Sequence, residues 1–384
     1  MNLSPTELTS QLVERLPIRH SPGVSDALAL AGAELARLGL DHDVRPYGDA
    51  QQITATHAFS AAGPHVIVNA HIDIEPFLHD NAAQAPREPG RVYGPGASDM
   101  LGGIAATIAV LRGLSARDGL TGRITVQLVV GAHQGGAGTT DLLAGLLAGQ
   151  VTGQGLPAPD LAVIPEPTGG HVCTAAYGLA RYQLQSTGDA GTMAMATDRT
   201  NAATHAATAL LALNAADQEL RRLYPTRQQF RYVLPGLLHA GHDAAEPAAS
   251  AVVEFAVALP PLLPHEVALD VVRRHLSDRF EAGGLPLPSW ESGTPRFPAT
   301  DLGHRAFAEV LRNVNPALGW CQYPCPSDAR AFQDAGVPVV LYGPGELSRT
   351  RRPGEYVETG ELEEFAATLG SALAHWLTTT EARR

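Results

Sequence analysis

Three short apolar runs constrain the fold of this chain more than any other feature. They are His65-Val66-Ile67-Val68-Asn69, Arg123 to Val130, and Leu161 to Ile164. Each is rich in β-branched residues. Between them lie Ala/Leu-rich stretches with helical spacing: Leu8 to Leu16, Ala27 to Leu38 stopping at Gly39, and Ile104 to Leu114 after the Gly102-Gly103 pair. A strand with one wet face alternates polar and apolar residues, whereas a continuously apolar strand is covered on both faces. The alternation therefore predicts an α/β fold with a mostly parallel sheet and helices on both sides. In such sheets ligands bind beyond the carboxyl ends of the strands. His71, the Ala132-His133 pair and Glu166 each follow one of these runs, so one sheet edge can collect all of them.

The pattern changes near residue 178. Arg181 to Thr187, Gln229 to Leu234 and Val252 to Leu259 read as strands, and Asn201 to Leu213 and Glu266 to Phe280 as helices. This predicts an inserted α+β unit of ferredoxin-like type over 178–290, splitting the α/β part into 1–177 and 291–384. After the Pro/Gly-rich stretch Gly283 to Pro298, helix Gly303 to Asn313 and strand Val337 to Tyr342 resume the α/β pattern. At 384 residues the chain is long enough for two such cores.

Composition narrows the function. A net charge of -12, with every basic residue an Arg, argues against nucleic acid as a partner. The N-terminus has no apolar run behind basic residues, and no apolar stretch approaches a bilayer span, so the expectation is a cytoplasmic protein without membrane contact. Cys173, Cys321 and Cys325 are too few for a disulfide framework and read as unpaired thiols; a pair or chelate of Cys321 with Cys325 is the lesser alternative.

The chemistry sits in five motifs. NAHIDIEPF holds His71 with Asp73 two residues on, VYGPGASDMLGG holds Asp99 in a Gly-rich turn, and VIPEPTGG holds Glu166 at a strand end. SDARAF (Ser327 to Phe332) and the run Gly336 to Val357 follow near the C-terminus. Singly each is weak, and in this order and spacing they are specific. The chain resembles the M20 metallopeptidase family of deacetylase-, desuccinylase- and carboxypeptidase-type enzymes over nearly its whole length. The resemblance implies an α/β catalytic domain with an inserted lid that forms a homodimer, acting on small amino-acid-like substrates. By the same resemblance His71 is a terminal metal ligand, Asp73 the carboxylate that orients it, Asp99 the bridging carboxylate, and Glu166 the ligand completing the first metal site. His71, Asp99 and Glu166 leave one position open, as a catalytic zinc requires, so one Zn2+ per chain is expected.

Departures from the family pattern lie elsewhere. Its adjacent Glu-Glu pair, one the general base and one a metal ligand, aligns with Ala132 and His133 just before Gly135-Gly136-Ala137-Gly138. A shift by one residue gives His133 and Gln134, again without a carboxylate. The second metal's His aligns with Arg351, whose guanidinium has no lone pair for a metal. That leaves the second site without its terminal ligands, and it is expected to be empty. In the inserted unit the family's catalytic His falls on Thr192 or Met193 and its substrate-gripping Arg on Ala258, while Asn201 of the substrate-binding Asn-Ala element remains. Pro95 and Leu101 replace a usual Arg and Lys beside Asp99.

His133 is open between metal ligand, replacement base and packing residue. Arg351 is open between a solvated turn, pairing with Asp99, and substrate binding. Thr192, Met193 and Ala258 are read as packing residues. Acid–base assistance contributes about a hundred- to ten-thousand-fold in rate, and oxyanion-type stabilisation about a hundred- to thousand-fold. Losing both with one metal predicts weak ordinary hydrolysis. Three functions are therefore in play: a divergent mononuclear amidohydrolase, a catalyst of a non-hydrolytic step such as condensation or cyclisation, and a non-catalytic binding protein.

Overall fold

The computed structural model describes residues 2–75, 88–132, 135–149, 156–226, 230–291, 298–302 and 305–378. The chain opens with helices α1 (Pro5–Glu14) and α2 (Pro22–Arg37). α1 begins earlier than its apolar spacing predicts, because Ser4 and Glu7 form a reciprocal capping box ahead of Leu8. A hairpin absent from the sequence-based expectation follows: β1 (Asp41–Tyr47) and β2 (Ala50–Ala58), antiparallel with Tyr47 opposite Ala50. The tight turn between them uses Gly48 at φ 58°.

β3 (His65–His71), β4 (Arg91–Tyr93), α3 (Gly102–Ser115), β5 (Arg123–Val129), α4 (Ala137–Leu147), β6 (Leu161–Ile164) and β7 (Val172–Ala176) come next. The inserted segment then supplies β8 (Gly178–Thr187), α5 (Ala202–Leu223), β9 (Val233–Ala240), β10 (Ser250–Leu259), α6 (His265–Ala282) and β11 (Ser289–Glu291). The chain returns through β12 (Thr300–Asp301), α7 (Arg305–Val314), β13 (Trp320–Tyr323), α8 (Ala329–Asp334), β14 (Val339–Leu341), β15 (Tyr356–Glu358) and α9 (Thr359–Thr378).

The large sheet runs β1-β2-β5-β3-β6-β14-β7-β12, with β13 pairing β7. Its centre, β5-β3-β6-β14, is parallel, and β2 and β7 flank it antiparallel. All seven residues of β3 are buried, as doubly covered strands demand. Val66, Ile67 and Val68 contribute about 1.5–3 kcal/mol each by burial. Helix α3 packs so closely over the end of β6 that a Cβ on Gly103 would lie 2.7 Å from the Pro165 carbonyl. With the turn before it, Ala97–Ser115 is long and apolar enough to cross a bilayer, contrary to the sequence expectation, but 78% of that window is buried in the protein core.

Two compact units result: residues 1–175 with 301–323 and 327–384, and residues 176–300 with 324–326. The second is a four-stranded antiparallel sheet in the order β11-β8-β10-β9, with α5 and α6 packed on it. Its core gathers Tyr182, Leu213, Tyr232, Phe255, Val272 and Phe280. β9 runs past Pro235-Gly236, beyond the predicted Leu234: Pro235 stays opposite Phe255, and the register slip between Glu254 and Phe255 absorbs Gly236.

The cysteines correct the sequence reading. Cys173 on β7 and Cys321 on β13 form a disulfide, with Cα atoms 4.5 Å apart; they are not unpaired thiols, and Cys321 does not join Cys325. The cause is topological, since pairing of β13 with β7 brings the two side chains face to face across 148 residues of sequence.

Candidate metal centre

His71 ends β3 and Glu166 lies two residues beyond β6; these neighbouring parallel strands deliver both to one sheet edge. Asp99 arrives from the turn Ala97–Leu101 that leads into α3. That turn opens with Gly96 at φ 80° and contains a cis Asp99-Met100 peptide. The three side chains converge: one ligand atom from each lies within 4.8 Å of the others, and His71 Nε2 is 3.3 Å from Asp99 Oδ1. His71 and Glu166 are buried, and Asp99 is nearly so.

Asp73 orients His71, but through a different atom from the one the family pattern implies. His71 Nδ1 donates to the main-chain carbonyl of Asp73 at 3.0 Å, which leaves Nε2 facing the carboxylates. The Asp73 carboxylate accepts from Gly131 N at 3.0 Å through Oδ2, and Oδ1 has no hydrogen-bond partner among the described residues.

The electrostatics call for a cation. Burial alone would lower the His71 pKa, but the hydrogen bond and charge of Asp99, then Glu166 and Asp73, push it well above the ordinary histidine range. Burial, and then the charge of Asp99, raise Glu166, opposed by His71 and a hydrogen bond from Ser327. Two crowded carboxylates and one imidazole nitrogen in a dry setting fit a divalent transition metal.

Several supporting residues were missed by sequence reasoning. Tyr323 donates its hydroxyl to Glu166 Oε2 at 3.1 Å. Glu355 is buried and accepts from Ser98 N at 3.1 Å and Arg351 N at 3.0 Å, tying the Asp99 turn to the Arg351 turn. Burial and the charge of Asp99 push its pKa up to about 7, against hydrogen bonds from the main chain of Arg351, Ser98 and Asp99. Buried Asp328 accepts from Thr139 Oγ1 at 2.7 Å. Its Oδ1 would lie 2.8 Å from a Cβ on Gly136, which also holds φ 67°, so a side chain there is excluded twice. The signals for Ser327, Asp328 and Glu355 lay inside motifs already noted; Tyr323 had none.

The remaining predicted residues sit as follows. Ala132 is half-buried, and His133 lies outside the described residues. Arg351 is an exposed residue with φ 54°. Asn201 caps α5 within the second unit, its Oδ1 accepting from Ala203 N and Ala248 N at 3.1 Å each. Ala258 is buried in β10, as read, but Met193 is 74% exposed and Thr192 is exposed, so neither packs.

The family model for Peptidase family M20/M25/M40 matches residues 67–375. Succinyl-diaminopimelate desuccinylase of Gluconacetobacter diazotrophicus is 34% identical over 158 residues, 38% of this chain but only 39% of that protein's length. N-formyl-4-amino-5-aminomethyl-2-methylpyrimidine deformylase of Bacillus subtilis is 24% identical over 94% of this chain and 90% of its own. Among solved structures, human carnosine dipeptidase 1 superposes with a TM-score of 0.72 at 14% identity, covering 98% of this chain and 97% of its own. The M20 family metallo-carboxypeptidase Sso-CP2 from Sulfolobus solfataricus gives 0.73 at 12% identity, covering 98% and 99%.

Proposed function

The chain belongs to peptidase family M20/M25/M40, and from that premise we propose that it is a metal-dependent amidohydrolase holding one zinc ion. The substrate is a small amino-acid-like molecule bearing an N-acyl or peptide bond. The convergence of His71, Asp99 and Glu166 within 4.8 Å carries this reading. A zinc ion bound there would act as a Lewis acid on the amide carbonyl and on water. The protein's own part is to fix the ligands: the Asp73 carbonyl sets the His71 tautomer, Tyr323 and Ser327 hold the Glu166 carboxylate, and Glu355 anchors the turn behind Asp99. Full-length relatedness to a deformylase favours a small acyl group. Asn201 and Arg351 are assigned to substrate binding and His133 to proton transfer or metal ligation.

Ala132, a methyl where the family base stands, favours a second reading in which the same pocket catalyses a step from which water is excluded, such as condensation or cyclisation. Metal content and turnover separate the cases. Elemental analysis is expected to give about one zinc per chain, by the three-ligand count, and His71→Ala to abolish it. A metal-free protein after zinc loading sinks the proposal. Zinc with no hydrolysis of N-formyl, N-acetyl or N-succinyl amino acids supports the second reading.

Homodimerisation through the inserted unit is proposed as well. Edge strand β9 exposes Leu234, Leu237 and Leu238, and neighbouring α5 exposes Leu211. An apolar edge of this kind calls for a partner.

A further inference from the structure

The Cys173–Cys321 bond stands at one end of a row that crosses the large sheet. Cys173 on β7 lies opposite Leu341 on β14, and Leu341 lies opposite Ile164 on β6. Two residues beyond Ile164 comes Glu166. Two residues beyond Cys321 comes Tyr323, whose hydroxyl donates to Glu166 Oε2 at 3.1 Å. Alternate residues of a strand share a face, and β13 shows it: Trp320 and Gln322 are exposed, Cys321 is half-buried and Tyr323 is buried. The covalent bond at Cys321 therefore fixes, on the same face, the residue that holds Glu166.

Among the described strands β13 pairs only with β7. Val172 N donates to Gly319 O at 2.9 Å, and Thr174 Oγ1 to Cys321 O at a long 3.5 Å. A strand held on one side opens at less cost than a central one, so the disulfide is a large share of what keeps β13 in register. The chain after β13 passes any movement on. Pro324 and Pro326 each fix φ, and Ser327 just beyond them gives Glu166 another hydrogen bond. Both donors to Glu166 thus hang from one tether.

We propose that Cys173–Cys321 is a reducible latch on the candidate metal centre: the closed bond holds Tyr323 on Glu166, and reduction releases it. The co-reactant is a dithiol. One of its thiolates attacks Sγ of Cys321, the half-buried partner, and the electron pair of the broken S–S bond leaves on Sγ of buried Cys173, which takes up a proton. The second thiolate then displaces Cys321 as a thiol. The dithiol ends as a disulfide, and the protein has gained two electrons and two protons. Control of ion affinity by this bond rests on the zinc reading; the latch itself does not.

The full chain is equilibrated in oxidised and in reduced dithiothreitol, and free thiols are counted by alkylation and mass spectrometry. One, Cys325, is expected in the oxidised form and all three in the reduced. Hydrogen exchange on zinc-free protein reads the latch: on reduction the amides of β13 and of Ser327 are expected to exchange about tenfold faster, with β3 and β5 unchanged. Zinc affinity, by chelator competition after anaerobic removal of the dithiol, is expected to fall about tenfold, the low end of the cost of losing a group that orients a ligand. Cys321→Ser and Cys173→Ala should match the reduced parent and ignore the dithiol. Tyr323→Phe should bind zinc weakly in both states, with a redox difference below about twofold. Three free thiols in both states, unchanged exchange, acceleration spread through the whole chain, or equal zinc affinity in the two states of the parent overturns the proposal. Faster exchange in β13 with no zinc bound in either state upholds the latch and removes the zinc reading alone.

Discussion

His71 is held in place by the main-chain carbonyl of Asp73, not by its carboxylate, through a 3.0 Å hydrogen bond from Nδ1. A backbone oxygen cannot be removed by changing the side chain, so the orientation of the imidazole is insulated from substitution at Asp73. Loss of a side chain that orients a metal ligand commonly costs about 10- to 100-fold in metal affinity. For Asp73→Asn the expected change in zinc affinity is below about threefold on that scale, measured by competition with a chromophoric chelator. A loss of tenfold or more would show that the carboxylate does the orienting.

Glu355 should matter for stability before it matters for chemistry. Its buried carboxylate satisfies the N–H groups of Ser98 and Arg351, and Glu355→Ala leaves both without that acceptor. Urea unfolding is expected to show a loss of about 1–3 kcal/mol per unsatisfied group, with Glu355→Gln recovering part of it. An alanine variant as stable as the parent would mean that water replaces the carboxylate at no cost.

His65 gives a pH dependence with a defined sign. Burial holds its pKa below the ordinary value of 6.5, with Nδ1 bonded to Pro157 O and Nε2 to Thr125 Oγ1 at 2.8 Å each. The unfolded chain therefore takes up a proton that the folded one resists. This contribution is complete above pH 6.5 and is lost as pH falls below it toward the depressed folded value. Thermal melts of the His65→Gln variant should show a shallower decline in stability from pH 6.5 downward than the parent; parallel curves would remove His65 as the cause.

The exposed edge of the inserted unit predicts its own disruption. With Leu237→Arg and Leu238→Arg together, light scattering on a sizing column is expected to shift the protein from dimer to monomer, with zinc content unchanged. A parent protein that already runs as a monomer would end the dimer proposal.

The parts of this protein legible from sequence are those with local causes. β3, β5 and β6 announced themselves by uninterrupted apolar residues, and their ends identified His71 and Glu166 because parallel strands deposit their C-termini on one edge. The β1–β2 hairpin was not legible: Pro46 interrupts one strand, and the β2 residues Gln51 and Gln52 look like loop although Gln52 is fully buried. The contacts of Tyr323 with Glu166 and of Glu355 with Ser98 join residues 157 and 257 positions apart, and no local pattern encodes such pairings. The Cys173–Cys321 bond was hidden for the same reason.

The three candidate ligands come from the ends of two strands and from a turn packed against them, and none has a neighbouring ligand in sequence. No fragment of the chain shorter than the assembled sheet can chelate an ion in this way. Binding of the proposed ion would thus be linked to the native state, and each factor of ten in free zinc above its dissociation constant would add about 1.4 kcal/mol to it. Scarcity of the ion would register first as a shorter-lived protein and only afterwards as a slower one.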